Sequence, residues 1–514
     1  MHSDPRQRLL QWHRLLRQGD GQLALHLEAA RAALPHDPIA AIRRQALALL
    51  ERLGRLEPGE GELAALAALH RAWGDLVVLD APTLARDHYE QAWACGAVDR
   101  DLEQRLANLA WREGLEAGAW ALAPPEPDLP PWAQLPCPSL GCGPCQELLQ
   151  AEPQAVAEAE SLELTALAGG RIWCNRANPW GETYGVAVAD GDGHLLAEHC
   201  RSYPWHWPGC AHAGRQAEQL SRSQLAWWGQ RQPPPQRQEG AVLAVADLSA
   251  ELHYHWQLEL LPRLGLAWQQ LQRQEPELRL WHNGGRAPRV REALQQLGIP
   301  AERVLEATAV PHLQAEQLWI ASWPSPFGAP GRWAIDWLRH FWGVEAGTGS
   351  SAGQALWLPR GPVGRRPLLE ERAWQAALQE PLRQRGLHLE VCAGGSVAEQ
   401  LQRCARAELV IAPHGGAMAN LLAASAGTRV LELVNPAYAP PYLATTLAAT
   451  ASRRWGWAAR ATPEPLAQLL YAGALECPIA PGPIAETRPS LLAALDHTLA
   501  LALPSPDLQL GGHG

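Results

Sequence analysis

The stretch with most chemistry in it runs from Glu408 to Pro436, ELVIAPHGGAMANLLAASAGTRVLELVNP. Leu409 to Ala412 reads as a buried strand, Pro413, Gly415 and Gly416 break it, and Ala417 to Ala424 reads as a short helix. A helix that starts on glycines offers unpaired backbone N–H groups and the positive end of its dipole, with no side chain to crowd out a phosphate. Glu432 follows on the next strand, at about the separation at which dinucleotide-binding folds place a ribose-binding carboxylate. An ordinary strand-to-helix turn beside a surface glutamate has the same letters, and the turn alone does not separate the two. Elsewhere, Cys142-Gly-Pro-Cys145 has the spacing of a thiol redox site, and Cys137 and Cys174 would complete a set of four thiols for zinc. A redox pair of this kind follows a buried strand, whereas a proline-rich connector precedes this one, so a structural linker is the favoured reading beside zinc and redox. Asp190-Gly-Asp192-Gly supplies what a hairpin tip needs, and the same Asp-x-Asp is a pattern that holds a divalent cation.

Composition narrows the chemistry. The chain has 514 residues, too many for one core, and its 47% hydrophobic against 19% charged residues is a globular balance. A net charge of −10 offers no basic stripe to a nucleic-acid backbone, though a local basic pocket is compatible with it. The sequence contains no lysine, so every fixed positive side chain is arginine. Walker-type phosphate loops, pyridoxal Schiff bases and protein-kinase sites each need a lysine and are excluded. No run of about 18 uncharged apolar residues occurs and the start lacks a signal-peptide core, so a cytoplasmic protein with no transmembrane segment and mostly reduced cysteines is expected.

The elements that must position these residues change character along the chain. Residues 1–122 show short amphipathic helical segments, and their layout resembles a degenerate tetratricopeptide-type array, which implies a surface for a protein partner or a helical cap. Residues 123–160 form a Pro/Cys-rich linker and helix. Residues 161–346 begin with β-rich runs, LELTAL, RIWC, YGVAVA and HLLAEH, and continue after the connector RQPPPQRQ as alternating strands and helices. That alternation predicts a parallel sheet covered on both faces. A gap rich in Gly and Ser opens a second α/β half at 347–503, which includes a helix with a capping box, Ser396 and Glu399, and ends on a helix from Arg488 to Leu501. Residues 504–514 form a tail.

PHGGAMAN followed by Glu432 resembles the HGAGLTN-to-glutamate signature of family 61 glycosyltransferases, with Ala417 and Met418 as departures. HYHWQLELLPRL from His253 resembles that family's N-Y-x-H-W-x-x-E-x-x-P-R-L helix, and LPRGPVGRRPL from Leu358 resembles its S-R-x-x-x-x-R-R segment. The three segments fall in the family's order and lie within about residues 160 to 480. The resemblance implies an α/β fold of GT-B type: two Rossmann-like domains, the N-terminal one on the acceptor side and the C-terminal one on the nucleotide-sugar side. Here an all-α, helical-repeat-like N-terminal region precedes them. It also implies a hexosyl- or pentosyltransferase that inverts the anomeric carbon, with no cofactor and no catalytic metal.

Within that resemblance, Arg360, Arg365 and Arg366, with the amides of Gly415 and Gly416, are the donors that can stabilise a nucleoside-diphosphate leaving group. His414 and Asn420 would shape or contact the diphosphate, and Glu432 would accept from ribose hydroxyls. His255 is suited to take the proton of an acceptor hydroxyl, and Glu259 lies one helical turn on as its orienting partner. His253 stands where the family has Asn, a departure on the acceptor side. The expected function is glycosyl transfer to a glycan, lipid-linked or protein acceptor. The alternatives are a nucleotide-binding adaptor without turnover and a redox protein using Cys142 and Cys145.

Overall fold

In the computed structural model, the described residues are parts of 63–106, then 162–175, 182–183, 185–202, 234–325, 327–344, 353–361, 366–435, 443–459 and 478–501. Of the helical segments expected before residue 122, Pro82–Ala94 (α1) is described as a helix, burying Ala85, Tyr89 and Ala92. Most other residues of that region lie outside the described residues, as do Cys137, Cys142, Cys145 and Arg365. The molecule is mixed α/β, built on two sheets.

The first, 8-stranded sheet contains β1 (Leu164–Ala168), β2 (Arg171–Asn175), β3 (Gly185–Ala189), β4 (Arg201–Ser202), β5 (Gln236–Val245), β6 (Arg279–His282), β7 (Val304–Glu306) and β8 (His312–Ala321). Its order is β4-β3-β2-β8-β5-β6-β7, with β1 also on β8. This sheet is mixed: the strands of the alternating stretch are parallel, as expected, and the β-rich runs before it add antiparallel strands. β8, β5, β6 and β7 run parallel, whereas β1 and β2 pair antiparallel to β8, and β3 and β4 continue antiparallel. The crossover helices force parallel pairing only on their own strands; β2 and β3 are joined directly and pair antiparallel. HLLAEH is not a strand either. Leu195 makes a single bridge to Ala189 and Ala197–His199 is a 3-10 turn, because the Asp190 tip returns the chain for only that one pair. Helices α2 (His253–His255, a π turn Trp256–Leu260, then Leu261–Leu271), α3 (Pro288–Gln296) and α4 (Arg332–Phe341) belong to this half.

The second sheet is 5-stranded and parallel: β9 (Gln354–Trp357), β10 (His388–Val391), β11 (Leu409–Pro413), β12 (Arg429–Val434) and β13 (Arg453–Ala458), in the order β10-β9-β11-β12-β13. β11 is buried along its whole length, which is why it reads as an uninterrupted apolar run. Its helices are α5 (Glu371–Gln384), α6 (Val397–Arg406), α7 (Ala444–Ala449) and α8 (Ile484–Ala500). The Ser396/Glu399 capping box forms as expected and starts α6. After β11 the chain makes a 3-10 helix, Gly416–Ala423.

One apolar core runs through both halves. It joins Leu243 and Val245 of β5 and Trp256, Leu261 and Leu264 of α2 to Val410 and Ala412 of β11 and Met418, Leu421 and Leu422 of the 3-10 helix. Arg339 of α4 crosses the same boundary, donating to the Leu422 and Ala424 carbonyls, both at 2.7 Å, and so satisfying the end of the 3-10 helix. No helix among the described residues is long and apolar enough to cross a membrane.

Candidate active site

Parallel sheets bind ligands beyond the carboxyl ends of their strands, at the point where strand order reverses. In the second sheet that point lies between β9 and β11. Arg360 follows β9 and His414 follows β11, so two residues far apart in sequence leave the sheet side by side. Arg360 Nη1 donates to the His414 carbonyl at 3.0 Å. A Cβ on Gly415 would lie 1.6 Å from that same Nη1, so the guanidinium rests against the glycine and only glycine leaves it room. Glu371, at the start of α5, fixes the turn that presents Arg360. Its carboxylate accepts from the Arg360 amide (3.0 Å), the Gly361 amide (2.9 Å) and the Trp357 indole (2.8 Å).

Glu432 lies deeper than a surface carboxylate. It is 1% exposed; Oε1 accepts from His414 Nδ1 at 2.6 Å and Oε2 from Arg454 Nε of β13 at 2.5 Å. Burial raises the Glu432 carboxyl, but Arg454 and His414 together outweigh it and hold it below the usual carboxylate range. Burial lowers the His414 pKa, assisted by Arg366 and Arg360 and opposed by Glu432. The imidazole is therefore neutral at pH 7 with Nδ1–H toward the carboxylate. Arg366, buried at a left-handed backbone position, joins this positive cluster.

In the first sheet the order reverses between β5 and β8, and α2 starts just beyond β5. Its π turn is a wide turn of the kind found often at functional sites. His255 Nδ1 and Glu259 Oε2 are 2.5 Å apart, and both side chains are buried. Glu259 Oε1 also accepts from the Gly328 amide, and the Phe327 ring stacks on His255 at 4.6 Å and 13°. Tyr254 donates to the Gly328 carbonyl at 3.4 Å. The pair is therefore clamped from its own helix and from the loop after β8. Behind Glu259 lies a narrow crevice lined by Arg201, Asp247, Arg263, Ser325 and Trp333. Asp247 takes Arg201 Nη1 and Arg263 Nη1, each at 2.9 Å, and these arginines donate in turn to the Ser325 and Ser322 carbonyls at 3.2 and 2.8 Å, tying the end of β5 to the loop after β8.

The two switch points meet. A Cβ on Gly416 would lie 3.5 Å from His253 Cβ and 3.6 Å from the Tyr254 amide, so the glycine loop abuts the first turn of α2. Asn420 is buried on the same side, with Nδ2 donating to Gln400 at 3.2 Å. The departure at His253 thus sits against the glycine loop. Of the residues in the cation and zinc alternatives, the described ones, Asp190, Asp192 and Cys174, lie on the strands and hairpin tip of the first sheet. Asp190, Asp192 and His194 bring ligand-type atoms within 4.8 Å of one another, but Asp190 Oδ1 accepts from the amides of Asp192, Gly193 and His194, as a hairpin tip requires. Cys174 is buried in the apolar core with Ile172, Val186 and Val188. Arg454, Glu371, Phe327 and Asp247 escaped sequence reasoning. The available signal for Asp247 was its place directly after the apolar run of β5; Arg454 carried none, because β13 is not apparent in the sequence.

Neutral buried histidines set a pH dependence. Burial pushes His253 and His88 down to about 4, and His414 is lowered as well. The unfolded chain protonates these rings near 6.5, so below that pH it binds more protons than the fold, and stability falls as pH falls toward 4. The melting temperature is expected to be level above pH 7 and to drop by about 5 °C between pH 7 and pH 5. A melting temperature that holds or rises over that interval contradicts the neutral assignment.

No curated protein matches the chain. Residues 253–431, about a third of the chain, match the family model described as Glycosyltransferase 61. The matched span starts at His253 and takes in the His255–Glu259 pair, Arg360 and the glycine loop. Residues 253–431 thus carry a domain of the glycosyltransferase 61 family, and this match supports a glycosyltransferase activity.

Proposed function

We propose that the protein transfers a sugar from a nucleotide-sugar donor to a glycan, lipid-linked or protein acceptor, with inversion, without a catalytic metal, and in the cytoplasm. The two sheets with facing carboxyl ends are read as a GT-B-type pair. The observation that carries this reading is the contact between the two switch points, which sets the glycine loop on which Arg360 rests against the helix of a buried His–Glu pair. As the sugar–phosphate bond breaks, negative charge grows on the diphosphate and the sugar passes through an oxocarbenium-like state. Arg360 and Arg366, with Arg365 and the Gly415 and Gly416 amides, donate to that charge. Arginine takes this part because the chain has no lysine. His255, held at Nδ1 by Glu259, takes the acceptor proton at Nε2, and Glu259 stabilises the imidazolium that results. Glu432, 1% exposed and held between His414 and Arg454, anchors the histidine beside the glycine loop.

A thermal-shift screen of nucleotide sugars, with and without EDTA, followed by NMR of the product formed on an acceptor extract, tests the proposal. One donor class is expected to stabilise the protein equally in both conditions and to give a product of opposite anomeric configuration. Stabilisation lost in EDTA contradicts metal independence, retained configuration contradicts inversion, and no stabilising donor contradicts the donor site.

A further inference from the structure

Four charged side chains, Arg201, Asp247, Glu259 and Arg263, line the crevice behind the His255–Glu259 pair, and the transfer step uses only Glu259. Asp247 is 0% exposed, and its carboxylate accepts from Arg201 at Oδ1 and from Arg263 at Oδ2. Its main chain is fixed as well. The buried Asn283 side chain accepts from the Asp247 amide at 3.1 Å and donates to the Asp247 carbonyl at 2.6 Å, so the carboxylate is set in place from the end of β6. Carbonyls of Ala321, Ser322 and Ser325 hold the two guanidiniums in position but do not cancel their charge.

The balance of charge gives Asp247 a role. Among the described residues that line the crevice, Asp247 and Glu259 are the only carboxylates, set against two guanidiniums. Glu259 is also claimed by His255 Nδ1 at 2.5 Å. Arg263 lies one helical turn past Glu259; burial pushes its pKa down to about 10, against the pull of Asp247 and, more weakly, of Glu259. Arg201 lies 5.8 Å from the centre of the Phe327 ring, whose other neighbour is the His255 imidazole. Charges attract strongly in a buried site, and an ion left without a partner there is costly. With Asp247 neutral, both arginines would draw on Glu259 and loosen its hold on the imidazole. We propose that Asp247 is a positioning residue for the transfer reaction: it occupies Arg201 and Arg263 and so reserves Glu259 for His255. This rests on the reading of His255 as the base.

Asp247→Asn tests it, because the amide keeps the shape and removes the charge. The first measurement needs no substrate: the proton resonance of His255 Nδ1–H in the full chain, isotope-labelled at its histidines and assigned by its loss in His255→Gln. A short hydrogen bond to a carboxylate holds this proton far downfield. It is expected to move upfield or vanish in Asp247→Asn and to return in Asp247→Asn/Arg201→Gln, which has no surplus guanidinium. The second is kcat with the nucleotide sugar selected by the thermal-shift screen. Asp247→Asn is expected to lower it about tenfold with donor Kd within about twofold, and the double variant to recover most of the loss. On a Glu259→Gln background the same change should cost less than about twofold, since no carboxylate is left to divert, whereas a merely structural role would give additive losses. The double variant covers the case in which Asp247→Asn melts early. An unchanged resonance in Asp247→Asn, a double variant as impaired as the single one, or a full further loss on Glu259→Gln overturns the proposal while leaving the base in place. Wild-type kcat in His255→Gln overturns the base itself.

Discussion

Replacing His255 by glutamine lowers glycosyl transfer about a thousandfold while donor affinity stays within about twofold. The split follows from the location of the side chain. His255 and Glu259 form a buried pair clamped by Phe327 and Gly328, on the half of the molecule opposite the turn that bears Arg360. Loss of a base removes an interaction made in the transition state and leaves ground-state donor binding unchanged. Glutamine is the informative replacement because its amide still donates to Glu259, whereas alanine would strand a buried carboxylate and cost about 3–5 kcal/mol of stability. Glu259→Gln, which removes the charge but keeps the shape, is expected to lose about ten- to a hundredfold, as a positioning residue should. Measuring kcat and donor Kd separately on folded variants decides the matter: a His255→Gln enzyme with wild-type kcat ends the assignment of the base.

Arg360→Ala loses transfer by about a hundred- to a thousandfold and, unlike His255→Gln, loses donor affinity as well. The guanidinium is held by the His414 carbonyl and presented by a turn that Glu371 fixes, so its position is set before a ligand arrives. Lysine at this position should rescue little, because one ammonium does not reproduce a planar fork of donors. Gly415→Ala supplies an independent check that alters no charge. Its new methyl group would occupy the place of Arg360 Nη1, so the arginine must move and the variant should share the Arg360→Ala phenotype. Wild-type donor affinity in Gly415→Ala would show that the guanidinium does not act from the position it occupies here.

Much of the fold was legible because burial on both faces leaves a direct trace in sequence. β11 and β12 read as apolar runs since nothing on either face meets water, and the capping box of α6 is a local pattern with a local cause. The His255–Glu259 pair followed from the resemblance of its helix, with their one-turn spacing placing both on one face. The glycine loop was legible as a turn, but its 3-10 winding was not, since the choice between 3-10 and α rests on packing against α2 and α6. The antiparallel half of the first sheet escaped because strand direction is fixed by partners far away in sequence. β13 escaped for a different reason: RRWGWA is polar at its start and lacks the apolar run that marked β11.

What the sequence determined by itself is local: a chain without lysine that must bind anions with arginine, a glycine turn, and a histidine and a glutamate one turn apart. What the tertiary structure decided is which of these meet. Strand order brought Arg360 to His414 and Arg454 to Glu432, so a carboxylate expected to face ribose lies buried between a histidine and an arginine. The shared core pressed α2 onto the glycine loop and set His253 against Gly416. Residue type and spacing fix short-range hydrogen bonds, whereas the meeting of distant residues depends on how buried faces pair, and no local pattern encodes that choice.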